Sequence, residues 1–292
     1  MKYMDETAVL KQIKSRIRKN NIWKSVFFIA TILALLALAM LIGRIISQGA
    51  SFIDWDFFTN FSSRFPEKAG IKAALVGSIY LMLVVAPTSV ILGVATAVYL
   101  EEYAKKNRFN DFIRANISNL AGVPSVVFGL LGLTIFVRML GLGKSILAAG
   151  LTMSLLILPV IIVAAQEAIR TVPKEQREAS YAMGATKWQT VFCVVLPAAL
   201  PGILTGSILA LSRAIGETAP LAVMGIPVII HFLPDGLLSE FTALPMQIYD
   251  WAKRPQEAFQ SVAAAGIIVL MIILVLMNSV AVMIRNKFQK RY

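Results

Sequence analysis

The sequence predicts an all-α, polytopic membrane protein with six transmembrane helices. Of its 292 residues, 58% are hydrophobic and only 15% are charged, whereas about 25% of the residues in a typical soluble domain are charged. The charged residues also cluster, so that they divide the chain into long uncharged runs. Because so much apolar sequence needs lipid around it, these observations exclude an ordinary soluble domain.

Six uncharged runs are each long enough to cross a bilayer. The shortest, residues 25–43, holds 19 residues, and about 20 apolar residues span the hydrocarbon core as a helix. A basic stretch precedes this run, as in a secretory signal, but the apolar part of a signal is only about 7–15 residues long. We therefore predict a retained first span. In chain order the predicted spans are 25–43, 73–100, 115–137, 145–166, 188–212 and 258–284.

A seventh uncharged run, residues 218–230, is too short to be a span. It holds 13 residues and contains Pro220 and Pro227. We expect it to fold back or to lie near an interface.

The positive charge indicates how the helices are oriented. With six spans, residues 1–24, 101–116, 167–187 and 285–292 lie on one side of the membrane and hold 19 of the 28 Lys and Arg residues. The other side holds eight, and Arg213 belongs to neither. By the positive-inside rule both termini are cytoplasmic. The formal charge of +12 is thus explained by the orientation of the chain in the membrane. Membrane lipid is an expected partner, and nucleic acid is not.

These assignments divide the chain into three parts. Residues 1–24 and 285–292 are predicted to be basic cytoplasmic tails, and residues 25–284 to be the transmembrane domain.

The sequence offers little catalytic chemistry. His231 and Cys193 are the only histidine and cysteine, and no cluster has metal-ligand spacing, so neither a metal nor a cofactor is expected. Cys193 is predicted to be a small core residue, and His231 is either a proton relay or a structural hydrogen-bonding residue. The string Gly143-Lys144-Ser145 lacks the opening glycine of a phosphate loop. An intramembrane enzyme is therefore disfavoured, and any nucleotide would have to bind to another chain.

Residues 167–197 predict a short amphipathic helix between the fourth and fifth spans. Pro173 fits its first turn, and Gly184 fits a left-handed stop, which places the helix at about 172–184. Ala179, Ala182 and Met183 form its apolar side. Thr186 and Gln189 then form a capping box that starts the next helix. From the pattern alone this helix either lies on lipid headgroups or docks onto a partner.

The same segment resembles the EAA loop of ABC importer permeases. The matching residues are Glu178, Ala179, Ser180, Gly184, Val194, Leu196 and Pro197, with Ser180 and Val194 as conservative departures. The stretch 196–221 is similar to the PstA type of phosphate importer permease. It reads LPAALPGILTGSILALSRAIGETAPL. The ending RAIGETAPL carries this resemblance, because the companion PstC type typically differs after GET.

The resemblance implies a type I ABC importer permease fold in the cell membrane. It also implies a non-catalytic subunit that pairs with a second homologous permease, two copies of an ATP-binding subunit and an extracytoplasmic phosphate-binding protein. Glu178, Ala179, Ser180, Met183 and Gly184 would then form the coupling helix that docks onto the ATP-binding subunit. A permease for another oxyanion, such as sulfate or molybdate, is the alternative. A structural scaffold would leave the EAA segment unexplained.

Arg213 and Glu217 stand out because they lie between two uncharged runs. Their spacing of four would put them on one face of a helix. They are either an interfacial pair or part of an anion site, since guanidinium is always charged and matches two oxyanion oxygens. The resemblance implies that Arg213 is a pore residue for phosphate. We expect Arg213 to attract the anion and Glu217 either to orient the arginine or to accept a proton from a phosphate hydroxyl.

Gly202 and Gly206 form a small-xxx-small pair in the fifth span. This spacing is typical of close helix packing, although Gly and Pro would equally make the helix flexible.

Overall fold

A computed structural model of the chain describes residues 6–105 and 107–288. In this part the regular elements are helices, and the isolated β-bridge between Ser145 and Glu240 is the one β-type contact. The predicted all-α class is therefore confirmed. The α-helices are α1 (Glu6–Gly49), α2 (Trp55–Thr59), α3 (Lys72–Val98), α4 (Arg108–Leu120), α5 (Ser125–Gly132), α6 (Ile146–Arg170), α7 (Lys174–Ala182), α8 (Lys187–Thr190), α9 (Leu196–Gly216), α10 (Ala219–Val223), α11 (Leu244–Lys253) and α12 (Glu257–Phe288).

Short π-helical and 3-10 turns extend or connect several of these helices. π-helical turns follow α3, α5 and α8, and two 3-10 turns lie between α1 and α3. Their bounds are Ala50–Phe52, Pro66–Lys68, Tyr99–Tyr103, Leu133–Met139 and Val191–Val195. The turn after α8 leads directly into α9, so the predicted fifth span begins with the capping-box helix.

Five helical stretches are long and apolar enough to cross a membrane. They are Arg16–Phe52, Lys72–Tyr103, Ile146–Arg170, Lys187–Gly216 and Glu257–Lys287. Each contains most or all of one predicted span. If a sixth, bent pair of helices counts as one span, the predicted number of six is reached.

The predicted third span, residues 115–137, is wrong as a single continuous helix. The chain bends by 104° between α4 and the helical stretch Ser125–Met139. Pro124 stands just before α5 with an extended ψ of 138°. Because proline disfavours the helical conformation in the residue before it, a helix entering this point from α4 has to end.

The chain divides into two compact units, residues 1–48 and 49–292. The first contains nearly all of α1, whose 44 residues extend well beyond the predicted span 25–43. The described residues of the predicted basic tail, 6–24, are helical and continuous with that span. In the second unit, residues 285–288 likewise continue α12, while residues 1–5 and 289–292 lie outside the described part.

Close contacts between glycines and neighbouring helices build the core of the second unit. A Cβ atom added at Gly150 of α6 would lie 2.5 Å from a Val84 methyl carbon of α3. Further along α6, Cβ atoms at Gly202 and Gly206 of α9 would lie 2.7 Å and 2.3 Å from the Cβ atoms of Ala168 and Ala164. Real Cβ contacts are longer, so larger residues here would force α6 and α9 apart.

Cys193 is exposed, so its prediction as a core residue is wrong. It lies in the π-helical turn before α9, where Val191 and Val195 are buried. These two valines face the core, and Cys193 lies on the opposite, exposed side of the turn.

Candidate functional site

Helix α7 is defined by the local signals that predicted it, with one shift. Pro173 precedes the helix as its N-cap and does not lie in the first turn as predicted. Gly184 has a φ of +82°, the left-handed conformation that ends a helix at glycine. Thr186 Oγ1 accepts from the backbone N–H of Gln189 at 3.3 Å, and Gln189 Oε1 accepts from the backbone N–H of Thr186 at 2.8 Å. The predicted capping box is confirmed.

The outer side of α7 is uncovered in this chain. None of its residues is buried, and Glu178, Ala179 and Ala182 are exposed. Met183, just after the helix, is 88% exposed. These side chains form an accessible surface that combines a carboxylate with small and flexible apolar groups.

Arg177 fixes the inner side of α7 to the ends of two long helices. Its guanidinium donates to the carbonyl oxygens of Val172 and Ile169 at 2.8 Å and 2.9 Å. It also lies 3.1 Å from the Glu102 carboxylate at the end of α3. Since guanidinium presents a rigid set of donors, these contacts hold α7 at one angle.

A second hydrogen bond joins α7 to the segment leading into α9. Ser180 Oγ and Thr190 Oγ1 lie 2.9 Å apart. The structure thus divides the predicted coupling residues of this segment: Ser180 faces inward, whereas Glu178, Ala179, Met183 and Gly184 are exposed.

Glu101 is the centre of an ion-pair cluster beside α7. It accepts from Arg114 of α4, from Gln166 Nε2 of α6 at 2.9 Å and from Arg170 Nη2 of α6 at 2.9 Å. Its side chain is only 13% exposed. The cluster therefore joins the turn after α3, the middle of α4 and the end of α6 at the end of the bundle that carries α7.

Sequence reasoning missed Arg177, Glu102 and the Glu101 cluster. Their partners lie far apart in the chain, and the sequence showed only that both segments are charged. The one available signal was two adjacent carboxylates at the end of an apolar run.

Arg213 and Glu217 do not share a helical face, so that prediction is wrong. Helix α9 ends at Gly216, and Glu217 has an extended conformation with φ −79° and ψ 121°. Among the residues that the structure describes, the two side chains form no ion pair with each other. Arg213 is exposed in the last turn of α9, and Glu217 is half-buried. A glycine at the end of the helix removes the geometry that a spacing of four would have provided.

The segment after Glu217 folds back onto α5. A Cβ atom at Gly129 of α5 would lie 2.9 Å from the Pro220 Cα atom, and Pro220, Leu221 and Met224 are buried. The expectation that run 218–230 does not span is confirmed, since its helix α10 holds five residues.

A cavity of about 710 Å³ opens at the other end of the bundle, where α3 begins. Four charged residues line it, Asp56, Arg64, Glu67 and Lys68, and among the described residues none of them is in an ion pair. The Ser62 hydroxyl is buried in its wall without a hydrogen-bond partner in the described part. The cavity is thus polar, carries charges of both signs and has one hydroxyl in its wall without a hydrogen-bond partner among the described residues.

His231 also lines this cavity. Its ring packs edge-on against Phe61 with centroids 6.4 Å apart. Among the residues described, no group of three or more His, Cys, Asp or Glu could hold a metal ion.

Comparison with known proteins decides the family. The model of the binding-protein-dependent transport system inner membrane component family matches residues 89–290. The chain belongs to this family. It is 40% identical over 186 residues to a probable ABC transporter permease, YqgI, of Bacillus subtilis, an alignment covering 63% of either chain. It is 36% identical over 273 residues to the phosphate transport system permease protein PstA 1 of Mycobacterium tuberculosis, covering 91% of this chain and 88% of that protein.

Solved structures of ABC transporters share the fold. The MetNI methionine ABC transporter, in an inward-facing conformation, matches 75% of this chain and 96% of its own with a TM-score of 0.62 and 19% identity. A bacterial alginate ABC transporter was solved with a periplasmic protein bound to an alginate pentasaccharide. It matches 91% of this chain and 94% of its own, with a TM-score of 0.61 and 14% identity. The predicted importer permease fold is therefore confirmed.

Proposed function

We propose that this chain is the membrane-spanning subunit of an ATP-driven inorganic phosphate importer and forms half of its translocation pathway. The observation that carries the proposal is the match along 91% of the chain to a phosphate transport permease. A separate chain hydrolyses ATP, a second homologous permease completes the pathway, and an extracytoplasmic protein delivers phosphate.

The charge distribution supports cytoplasmic N- and C-termini in the cell membrane. On that orientation α7 lies in the cytoplasm, and its exposed residues Ala179, Ala182 and Met183 form the surface that docks one copy of the ATP-binding subunit. A second copy docks on the companion permease. Arg177 and Ser180 then transmit force, because they connect this surface to the turn after α3, to α6 and to α8, which leads into α9.

Arg213 and Glu217 are the proposed substrate groups. A guanidinium offers an anion a positive charge and a planar set of donors, and the exposed position of Arg213 near the end of α9 allows an anion to reach it. Glu217 does not neutralise it in the described structure, so each group is available to a different part of the ligand. A carboxylate suits phosphate, which still carries a proton to donate, and repels sulfate, which does not.

Replacing Glu217 with Gln should loosen the selection of phosphate over sulfate. Removing the carboxylate takes away the repulsion of sulfate, so we expect the ratio of phosphate to sulfate transport to fall about tenfold, equivalent to about 1.4 kcal/mol. Glu240→Gln, on the same side of the membrane and exposed, is the control. Competition assays in proteoliposomes measure the ratio, and an unchanged ratio in Glu217→Gln removes the proposed role.

We assign the cavity around Ser62 to docking of the phosphate-binding protein. Its size and its charges of both signs favour a folded partner over a small anion. On the proposed orientation it opens outward.

Reversing two charges of this cavity should weaken docking. In Arg64→Glu/Lys68→Glu we expect the concentration of loaded binding protein that half-maximally stimulates ATPase to rise about tenfold, because charge complementarity is lost. Basal ATPase should stay unchanged. Arg138→Glu, exposed in the π-helical turn after α5 and assigned to the same side, is the control, and equal shifts in both variants would refute the assignment.

The substrate assignment is tested by ATPase stimulation of the complete transporter. Phosphate-loaded binding protein should stimulate hydrolysis, whereas sulfate or molybdate with their matching binding proteins should not. Stimulation by sulfate or molybdate alone would favour the alternative oxyanion permease.

A further inference from the structure

Two polar contacts connect α9 with α12, an otherwise strongly apolar helix. The Ser212 hydroxyl meets the side-chain amide of Asn278, and Arg285 Nη1 donates to Thr205 Oγ1 at 3.3 Å. Thr205 and Ser212 are seven residues apart in α9, as are Asn278 and Arg285 in α12. Because seven residues are two helical turns, both contacts lie along one seam between antiparallel helices. We call these four residues the polar seam.

The two hydroxyl groups of the polar seam have the same local arrangement. Thr205 donates to the Pro201 carbonyl at 2.8 Å, and Ser212 donates to the Ile208 carbonyl at 2.7 Å. Each hydroxyl has a single proton. Thr205 therefore accepts from the Arg285 guanidinium, whereas the Ser212 proton is directed either to the Ile208 carbonyl or to Asn278 Oδ1.

A polar side chain within an apolar membrane span is unfavourable unless it has a hydrogen-bond partner. Asn278 lies inside the stretch Glu257–Lys287, the most apolar of the five candidate spans. An amide there needs a partner, because lipid offers none. The polar seam satisfies it in one register only, since sliding α12 by one turn along α9 would break both contacts.

The contact of α9 with α6 is different in kind. It rests on Gly202 and Gly206 against alanines, and in the described residues no side-chain hydrogen bond crosses between these two helices. The contact of α9 with α12 is therefore held in register by polar groups, whereas its contact with α6 is held by close packing of small residues.

We propose that Asn278 and Arg285 are positioning residues that make α9 and α12 move as one unit. This proposal rests on the proposed function, in which α9 links the α7 segment to Arg213. Ser212 directly precedes Arg213, so its contact with Asn278 sets the position of the arginine from outside the substrate pathway. The last span thereby becomes part of the moving element.

Two near-isosteric substitutions test the polar seam. Asn278→Leu removes the amide, and Thr205→Val removes the acceptor of Arg285. In proteoliposomes with the complete transporter, we expect phosphate transported per ATP hydrolysed to fall about fivefold, within the range of measured coupling effects. The swap Ser212→Asn/Asn278→Ser, which keeps one hydroxyl and one amide in contact, should restore most of the ratio.

The matched control is Ser279→Ala. Its hydroxyl is exposed and bonds only to the Val275 carbonyl of its own helix, so the transport ratio should stay at the wild-type value. A purely structural role would lower the yield and the midpoint of thermal unfolding without changing the ratio. Ratios in Asn278→Leu and Thr205→Val equal to wild type would overturn the proposal. Absence of phosphate transport by the wild type would instead refute the proposed function.

Discussion

Replacing Arg213 with Gln should abolish phosphate uptake and leave the assembled transporter intact. Gln retains a hydrogen-bonding side chain of intermediate length but has neither the charge nor the planar fork that matches two oxyanion oxygens. We expect uptake to fall about 100-fold or more, corresponding to roughly 3 kcal/mol. Uptake of labelled phosphate by proteoliposomes measures this effect, and size-exclusion chromatography and basal ATPase report on assembly.

Two further variants make this result specific to the site. Arg213→Lys keeps the charge but loses the fork, so it should retain partial uptake. Arg138→Gln neutralises another exposed arginine and should transport like the wild type. Normal uptake by Arg213→Gln would eliminate Arg213 as a substrate group.

The second large effect is expected on the exposed face of α7. Glutamates at both Ala179 and Ala182 place two charges where the structure offers small apolar side chains. If this face docks the ATP-binding subunit, burying unpaired charges there is strongly unfavourable. We expect transport to fall at least tenfold because the subunit dissociates, which co-purification from membranes measures directly. A fully assembled, fully active Ala179→Glu/Ala182→Glu transporter would contradict the docking assignment.

Arg177→Met separates docking from transmission. It leaves the exposed face unchanged but removes the contacts to Ile169, Val172 and Glu102. The ATP-binding subunit should therefore remain bound, while less phosphate is moved per ATP. Lys174→Met, exposed one turn earlier on the same helix, is the matched control and should remain coupled.

The sequence predicted well those features that depend on local patterns. Long uncharged runs located the spans, because each helix must satisfy its own backbone in lipid. Gly184, Thr186 and Gln189 located the end of α7 and the start of α8, because capping depends on residues within one turn. Membership of the importer permease family also followed from a short segment, the EAA loop and the residues after it.

Features that depend on where the chain turns were predicted less well. Pro124 interrupts the third run, and a composition window cannot show that the two halves then diverge by 104°. Likewise, the spacing of Arg213 and Glu217 suggested a pair only on the assumption that the helix continues, whereas it ends at Gly216.

Long-range polar contacts were beyond local reasoning. Glu102 and Arg177, or Asn278 and Ser212, lie in different spans or loops, and no periodicity relates them. Only the packing of α3, α6, α9 and α12 brings these side chains together. Such contacts also join the elements that are proposed to move, so the structure adds most to the mechanism of coupling.

The most direct test of the account is ATP-driven phosphate accumulation by the reconstituted transporter. Proteoliposomes containing this chain, its companion permease and the ATP-binding subunit, supplied with loaded binding protein, should accumulate phosphate only in the presence of ATP. Omitting this chain or offering sulfate should abolish accumulation. Phosphate accumulation that persists without this chain, or accumulation of sulfate or molybdate in place of phosphate, would contradict the account.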